Sequence, residues 1–207
     1  MNIRLGALWF IRKPGWIVSI CIGGFFIFQG CNILNTRTPE KPSESSSSFV
    51  PPTSPSIVID NLVNAIRERN TENYINCFID STFSNYSFTF QAAQSAQTAY
   101  SAIFHDWNLT SERTYFENLC SRVPTGEESA LILTDTQLSI QSDSAVYTAT
   151  YTLIIPHTVQ DIDTKAQGTL MFLLSVDRNN NWAIHRWIDN ATGNDFSWSD
   201  LKARFSS

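Results

Sequence analysis

The sequence predicts an α+β fold in which N-terminal helices pack on a curved, mainly four-stranded antiparallel sheet. Apolar residues recur at helical spacing between residues 57 and 123, whereas residues 130–189 show the two-residue alternation of β-strands. Of the 207 residues, 43% are hydrophobic, which is enough to build the core of one domain. Helices followed by hairpins are typical of an α+β domain with its helices on one side of the sheet.

Residues 1–30 are predicted to be a lipoprotein signal peptide. Arg12 and Lys13 precede an apolar run over residues 16–28, which is shorter than the ~20 residues of a spanning helix and suits a signal sequence. The pair Gly30-Cys31 after this run resembles a bacterial lipobox. This resemblance implies that Cys31 carries fatty acyl chains such as palmitate and anchors the chain to the membrane of a bacterial cell envelope. The alternative is an uncleaved signal anchor.

The next segment, residues 31–56, is predicted to be the lipidated cysteine and a disordered linker rich in serine and proline. Such a composition buries too little apolar surface to offset the entropy of ordering. The folded domain is therefore expected over residues 57–207. The residue after Cys31 is Asn32 rather than an acid, so the sequence favours the outer membrane and leaves the leaflet open.

Individual helices are predicted from capping residues. Ser54-Pro55 supplies an N-cap serine followed by proline in the first turn, and Asn70-Thr71 begins a second, short helix. An alanine-rich helix is expected over residues 92–103, and Thr110 is expected to cap the helix that follows. Residues 86–90 alternate aromatic and hydroxyl side chains, which predicts a short strand.

The main sheet is predicted as a meander of four strands, over residues 130–141, 145–156, 164–177 and 181–189. Residues 170–174 are apolar at every position, so this strand should bury both faces. Because side chains alternate, Leu170, Phe172 and Leu174 are expected to face the helices. Met171 and Leu173 then need a cover, which is either the C-terminal tail or the second copy of a homodimer.

Two sets of residues carry a resemblance to the nuclear transport factor 2-like superfamily. The first set is Tyr74, the aromatic segment 83–90 and the strand Trp182-Ala-Ile184. The second set resembles uncharacterised bacterial lipoproteins of this type and comprises Trp107, Glu112, Tyr115-Phe116, the segment 182–189 and Trp198-Ser-Asp-Leu-Lys202. The resemblance implies a sheet wrapped round helices into an open cone. The superfamily contains enzymes, ligand binders and scaffolds, so it does not specify a function.

Several classes of function are excluded by composition. The formal charge of −5 argues against a nucleic-acid partner. The predicted domain has three glycines, at positions 126, 168 and 193, so it has no glycine-rich phosphate loop and no nucleotide cofactor is expected. His157 with Asp161 and Asp163 is interpreted as a solvated hairpin end, and no metal site is predicted. Export would permit a disulfide between Cys77 and Cys120, but a domain of this size does not require one, so free thiols are favoured.

One candidate pocket remains, formed by His185, Trp187 and Asp189. Strand alternation places the three side chains on one face, where they would line the cone and could bind a small apolar or aromatic ligand. No catalytic set is complete, so the sequence favours a lipid-anchored, extracytoplasmic binding or scaffold domain. One alternative is an isomerase- or cyclase-like enzyme with His185 as acid or base. Another is a structural envelope component that docks through the sheet face.

Overall fold

Residues 48–207 are described by the computed structural model and contain six helices and five strands. The helices are α1 (Pro55–Glu68), α2 (Thr71–Ile75), α3 (Gln94–Ala99), α4 (Ser101–Phe104), α5 (Leu109–Ser121) and α6 (Trp198–Arg204). The strands are β1 (Thr89–Gln91), β2 (Ala130–Gln141), β3 (Ser144–Ile154), β4 (Lys165–Val176) and β5 (Trp182–Ala191). Within this described part of the chain, no helix is long and apolar enough to span a bilayer.

All five strands belong to one sheet, in the order β1-β5-β4-β3-β2. Strands β2 to β5 form the predicted antiparallel meander, which confirms the α+β assignment. The short strand β1 adds a fifth member, and it pairs with β5 in parallel, with Thr89 opposite Arg186 and Gln91 opposite Ile188. The strand predicted over 86–90 is therefore shorter and begins later, and β2 is left as the opposite edge.

The helix starts follow the capping residues closely. The hydroxyl of Ser54 accepts the N–H of Ile57, and Asn70 caps α2, as predicted. Helix α5 differs, because Asn108 and not Thr110 is its N-cap. The Asn108 side-chain oxygen accepts two backbone N–H groups of the first turn and forms a capping box with Ser111. The predicted alanine-rich helix is divided at Tyr100 into α3 and α4.

The ordered domain extends N-terminal of the predicted boundary at residue 57. Val50 exchanges two hydrogen bonds with the Asn61 side chain, at 2.9 and 2.7 Å. The N–H of Trp182 donates to the carbonyl of Pro52 at 2.7 Å. The last residues of the predicted linker are therefore held on the domain by hydrogen bonds from their backbone groups to the Asn61 side chain and to the backbone of Trp182. The signal peptide, Cys31 and the linker up to residue 47 lie outside the described residues.

The core lies between the helices and one face of the sheet, which we call the inner face. Leu170, Phe172 and Leu174 are fully buried on this face, as predicted. The C-terminal helix α6 packs there too, because the Trp198 ring lies 4.5 Å from that of Trp187, the partner of Phe172. Of the two predicted covers for Met171, the C-terminal tail is therefore wrong, and Met171 remains 36% exposed on the outer face.

Candidate functional site

A buried ion pair lies on the inner side of the sheet, between Glu112 of α5 and Lys202 of α6. Both side chains are fully buried and in contact through Lys202 Nζ and Glu112 Oε1. Each charge occupies a position in the apolar stripe of its helix, which directs it into the core. A buried charge is tolerated only with a partner and further hydrogen bonds, and this site supplies both.

The Glu112 carboxylate accepts hydrogen bonds from three donors. The Tyr74 hydroxyl donates to Oε1 at 2.6 Å, and the Trp107 indole N–H donates to Oε2 at 2.7 Å. Lys202 is the third donor. Burial, followed by the charge of Glu112, raises the pKa of Tyr74 well above its usual value, so this tyrosine stays a neutral donor. Both carboxylate oxygens are therefore bound by donors of the chain itself.

The Lys202 ammonium lies in an aromatic cage formed by Phe90, Trp107, Tyr115 and Trp187. Nζ is 3.8 Å from the ring centroid of Trp187 and 4.3 Å from that of Phe90. The two other centroids lie 5.0 and 5.4 Å away. Burial lowers the pKa of Lys202 to about 8, opposed by the carboxylate of Glu112. At neutral pH the cage thus holds an ammonium ion supplied by the chain itself.

A second buried carboxylate, Asp189 of β5, binds the start of α6. It accepts the Tyr151 hydroxyl at 2.8 Å, and the backbone N–H and hydroxyl of Ser199 at 2.8 and 2.5 Å. Burial raises the pKa of Asp189, and these hydrogen bonds oppose the rise. Tyr151 in turn accepts the backbone N–H of Trp198. Asp189 therefore positions α6 on the sheet.

The structure does not bring the predicted pocket residues together. Trp187 and Asp189 are buried on the inner face, but β5 has a bulge opposite Leu173 and Leu174. Ile184 pairs with Leu174 and Trp187 with Phe172, so these two inner-face residues are three positions apart. His185 is the extra residue, and its ring stacks on Tyr86 at 4.4 Å. The prediction of a shared face is thus wrong for His185, whose pKa is lowered by burial and by Arg186.

The other histidines and the cysteines have structural surroundings. His157 is buried rather than solvated, with its Nε2 atom 3.2 Å from the carbonyl of Asp163 and its ring against Phe205. Within residues 48–207, no group of three His, Cys, Asp or Glu residues is arranged to hold a metal ion. Cys77 and Cys120 are free thiols, as predicted. The lipidation candidate Cys31 lies outside the described residues.

The interior that an open cone would offer to a ligand is filled by side chains. Trp187, Trp198, Phe172 and Lys202 are among the largest fully buried residues of the domain. The cavities found at the surface measure about 250–310 Å³, and none of these has Glu112, Lys202 or Trp187 in its lining. The buried charges are therefore suited to holding α6 in place, and they present no reactive group to these four cavities.

The ion pair was missed by sequence reasoning, although its residues were noted as parts of motifs. Glu112 precedes Tyr115, Phe116 and Leu119 at helical spacing, and all four are buried. In the same way, Lys202 shares a buried stripe with Trp198 and Leu201. The available signal was one charged residue within the apolar stripe of each helix. Because the two charges have opposite signs, they indicate a buried ion pair.

Comparisons with solved structures agree with this architecture. No protein-family model matches the sequence, and no curated protein matches it. A structure described as a putative dehydratase from the NTF2-like family of Streptomyces avermitilis has a TM-score of 0.50 at 9% identity, over 66% of this chain and 92% of that chain. A putative scytalone dehydratase from Novosphingobium aromaticivorans has the same TM-score and identity, over 66% and 80% of the two chains. The described domain therefore has the nuclear transport factor 2-like fold.

Proposed function

We propose that this chain is a lipid-anchored, extracytoplasmic binding or scaffold protein that acts through its surface and not through an internal pocket. One observation carries the proposal: Lys202 and helix α6 occupy the inner side of the sheet, where an open cone would accept a ligand. A small apolar or aromatic ligand in the cone would have to displace side chains that are already packed and hydrogen-bonded. The surface is the part that remains free for a partner.

Opening the cone would break several interactions of α6 together. The indole of Trp198 donates to the Tyr115 hydroxyl at 2.9 Å, and Ser199 is bound to Asp189. Withdrawing Lys202 would also leave Glu112 as a buried charge without its counter-ion, which costs about 3–5 kcal/mol. These costs support a closed state as the working state of the domain.

An enzyme is the second candidate, because the two structural neighbours are described as putative dehydratases. In that case Glu112, Lys202 and Tyr74 would be the acid–base groups, and a lysine with a pKa near 8 is suited to proton transfer. His185 no longer fits the role of acid or base in the cone. The two candidates differ in one measurable property, the access of small molecules to Lys202.

Competitive acetylation of native protein at pH 8.5 tests this difference. Residues 48–207 contain two lysines, the exposed Lys165 and the buried Lys202, which act as control and probe. We expect Lys202 to be acetylated at least about 100-fold more slowly, because labelling requires local opening and each 1.4 kcal/mol of opening is a factor of ten. Acetylation of Lys202 at a rate comparable to that of Lys165 would indicate an open cone and favour the enzyme.

Membrane attachment is tested separately at Cys31. A Cys31→Ala variant should remain an unprocessed precursor or leave the membrane fraction, because it has no thiol to accept the diacylglycerol. The matched control is Cys21→Ala, which removes a cysteine from the apolar run and should retain the lipid. For both variants, mass spectrometry of the N-terminal peptide measures whether the precursor has been cleaved and whether lipid is attached. If the peptides of the unmodified chain and of Cys31→Ala differ only by the mass of the substitution itself, this would contradict lipidation and favour the uncleaved signal anchor.

A further inference from the structure

Strand β2 is an edge of the sheet with little protection against pairing. It is twelve residues long, lies at the end of the strand order and is exposed over most of its length. Edge strands are commonly protected by lysine, proline or charge, but the single charged residue of β2 is Asp135. Asp135 lies in a bulge between Thr134 and Gln137, so regular strand geometry resumes from Gln137 to Gln141.

The segment 137–141 reads Gln-Leu-Ser-Ile-Gln, a pattern that is symmetric about Ser139. Leu138 is opposite Tyr147 and Ile140 is opposite Ala145, so both side chains extend the inner face of the sheet. They are 39% and 54% exposed, which leaves two large aliphatic side chains at the open edge. The residues at 137, 139 and 141 point to the other face and are all neutral and polar.

We propose that β2 pairs with β2 of a second copy of this chain, antiparallel, about a two-fold axis at Ser139. A two-fold axis perpendicular to the sheet makes two identical strands antiparallel and keeps each face of the sheet continuous, and this symmetry closes the assembly at a dimer. Leu138 then lies opposite Ile140 of the partner subunit on the inner face. Gln137 lies opposite Gln141 of the partner subunit on the outer face. No like charges meet, and each apolar group finds an apolar neighbour.

A second copy is the occupant that fits this pattern because the segment is complementary to itself. Pairing with a different polypeptide would require no symmetry in the sequence of β2. Pairing about a two-fold axis requires residues at equal distances from Ser139 to be compatible, as Gln137 and Gln141 are. The proposal places self-association at the edge strand, and not at Met171 on the outer face where the sequence had suggested a homodimer. It is independent of the proposed function.

Disulfide trapping in the full-length chain tests the register. Ser139→Cys places two cysteines on the axis, where directly opposite Cβ atoms lie about 4.5–5.5 Å apart and can form a disulfide. Gln137→Cys alone should not be trapped, because its copies would lie roughly 14 Å apart at about 3.4 Å per residue. A mixture of Gln137→Cys and Gln141→Cys chains should be trapped as a heterodimer. The unmodified chain is the control, because it shows whether the native cysteines alone form an intermolecular disulfide.

Three results of the trapping experiment would overturn the proposal: no trapped dimer with Ser139→Cys, no heterodimer in the mixture, or trapping of Gln137→Cys alone as efficiently as the mixture. Sedimentation gives a second measurement. Leu138→Lys with Ile140→Lys should weaken dimerisation at least tenfold, because two pairs of ammonium groups would face each other. Ile132→Lys is the matched control, since Ile132 is 49% exposed on β2 but outside the symmetric segment. A chain that sediments as a monomer without substitution would also overturn the proposal.

Discussion

Replacing Lys202 with methionine should destabilise the domain strongly, although methionine is apolar and the site is fully buried. Methionine keeps most of the contacts of the lysine chain with the aromatic cage, so little packing is lost. What changes is the charge of Glu112, which loses its counter-ion while its other donors, Tyr74 and Trp107, remain neutral. A buried charge that loses its partner costs about 3–5 kcal/mol.

The converse change, Glu112→Gln, should cost a similar amount for two reasons. It leaves the Lys202 ammonium without a carboxylate, and it places an amide donor against one of the donors that now bind Glu112. The double variant removes both charges at once. Replacing a whole buried pair by neutral groups is often tolerated, so the double variant should be more stable than either single variant. We expect a coupling energy of at least about 2 kcal/mol.

Urea unfolding of the full-length protein, followed by tryptophan fluorescence, measures these free energies. Thermal melts should show single-variant Tm values lower by about 6–20 °C, at about 2–4 °C per kcal/mol for a domain of this size. Lys165→Met is the matched control, because it makes the same substitution at an exposed lysine and should change little. Single variants that unfold within about 0.5 kcal/mol of the unmodified chain, with an additive double variant, would refute the argument.

Two further predictions concern packing and pH. Gly168→Ala should lower stability by about 1–3 kcal/mol in the same assay, because its Cβ would clash with the Asn190 carbonyl and lie 2.7 Å from the Tyr151 hydroxyl. A Tm equal to that of the unmodified chain would show that the strands can separate locally. Burial raises the pKa of Cys77 and raises that of Cys120 to about 12, so the unfolded chain releases these protons first and stability should fall as pH rises above about 8.5. The double variant Cys77→Ala with Cys120→Ala should make this fall in stability less steep between about pH 8.5 and 9.5, because the lowered pKa of Lys202 acts with the opposite sign. Buried tyrosines such as Tyr74, whose pKa is raised, still lower stability towards about pH 10 in both proteins. A slope unchanged by the substitutions would contradict the assignment.

Helix starts and strand bounds were predicted correctly where they depend on residues that are close in the sequence. Ser54-Pro55 and Asn70 cap helices where expected, and the four long strands lie within a few residues of their predicted bounds. The alternation in residues 170–174 also assigned the inner face correctly. In each case the deciding interaction joins residues that are close in the chain, so composition and spacing were sufficient.

Features that depend on distant residues were not predictable in this way. Strand β1 is only three residues long and exists because β5, almost a hundred residues later, offers it a parallel edge. The bulge at His185 likewise depends on the register of β5 against β4. One inserted residue reverses the face of every side chain before it relative to those after it. An argument from strict alternation therefore failed for His185 while remaining correct for Trp187 and Asp189.

The Glu112–Lys202 ion pair was predictable in part. Each charged residue can be recognised from the apolar stripe of its own helix, but their contact joins two helices that are distant in the chain. Glu112 lies in the apolar stripe of α5 and Lys202 in that of α6, and each would be too costly to bury alone. If both helices are assumed to pack on one sheet, Lys202 needs a buried carboxylate as its partner, and Glu112 in the stripe of α5 is one of the two that the inner face offers, beside Asp189. The same reasoning predicts the position of the C-terminal helix, since Lys202 reaches Glu112 only when α6 lies on the inner face. Helix α6 therefore fills the cone because Lys202 must reach a buried carboxylate, and both charged residues of the pair can be identified in the sequence.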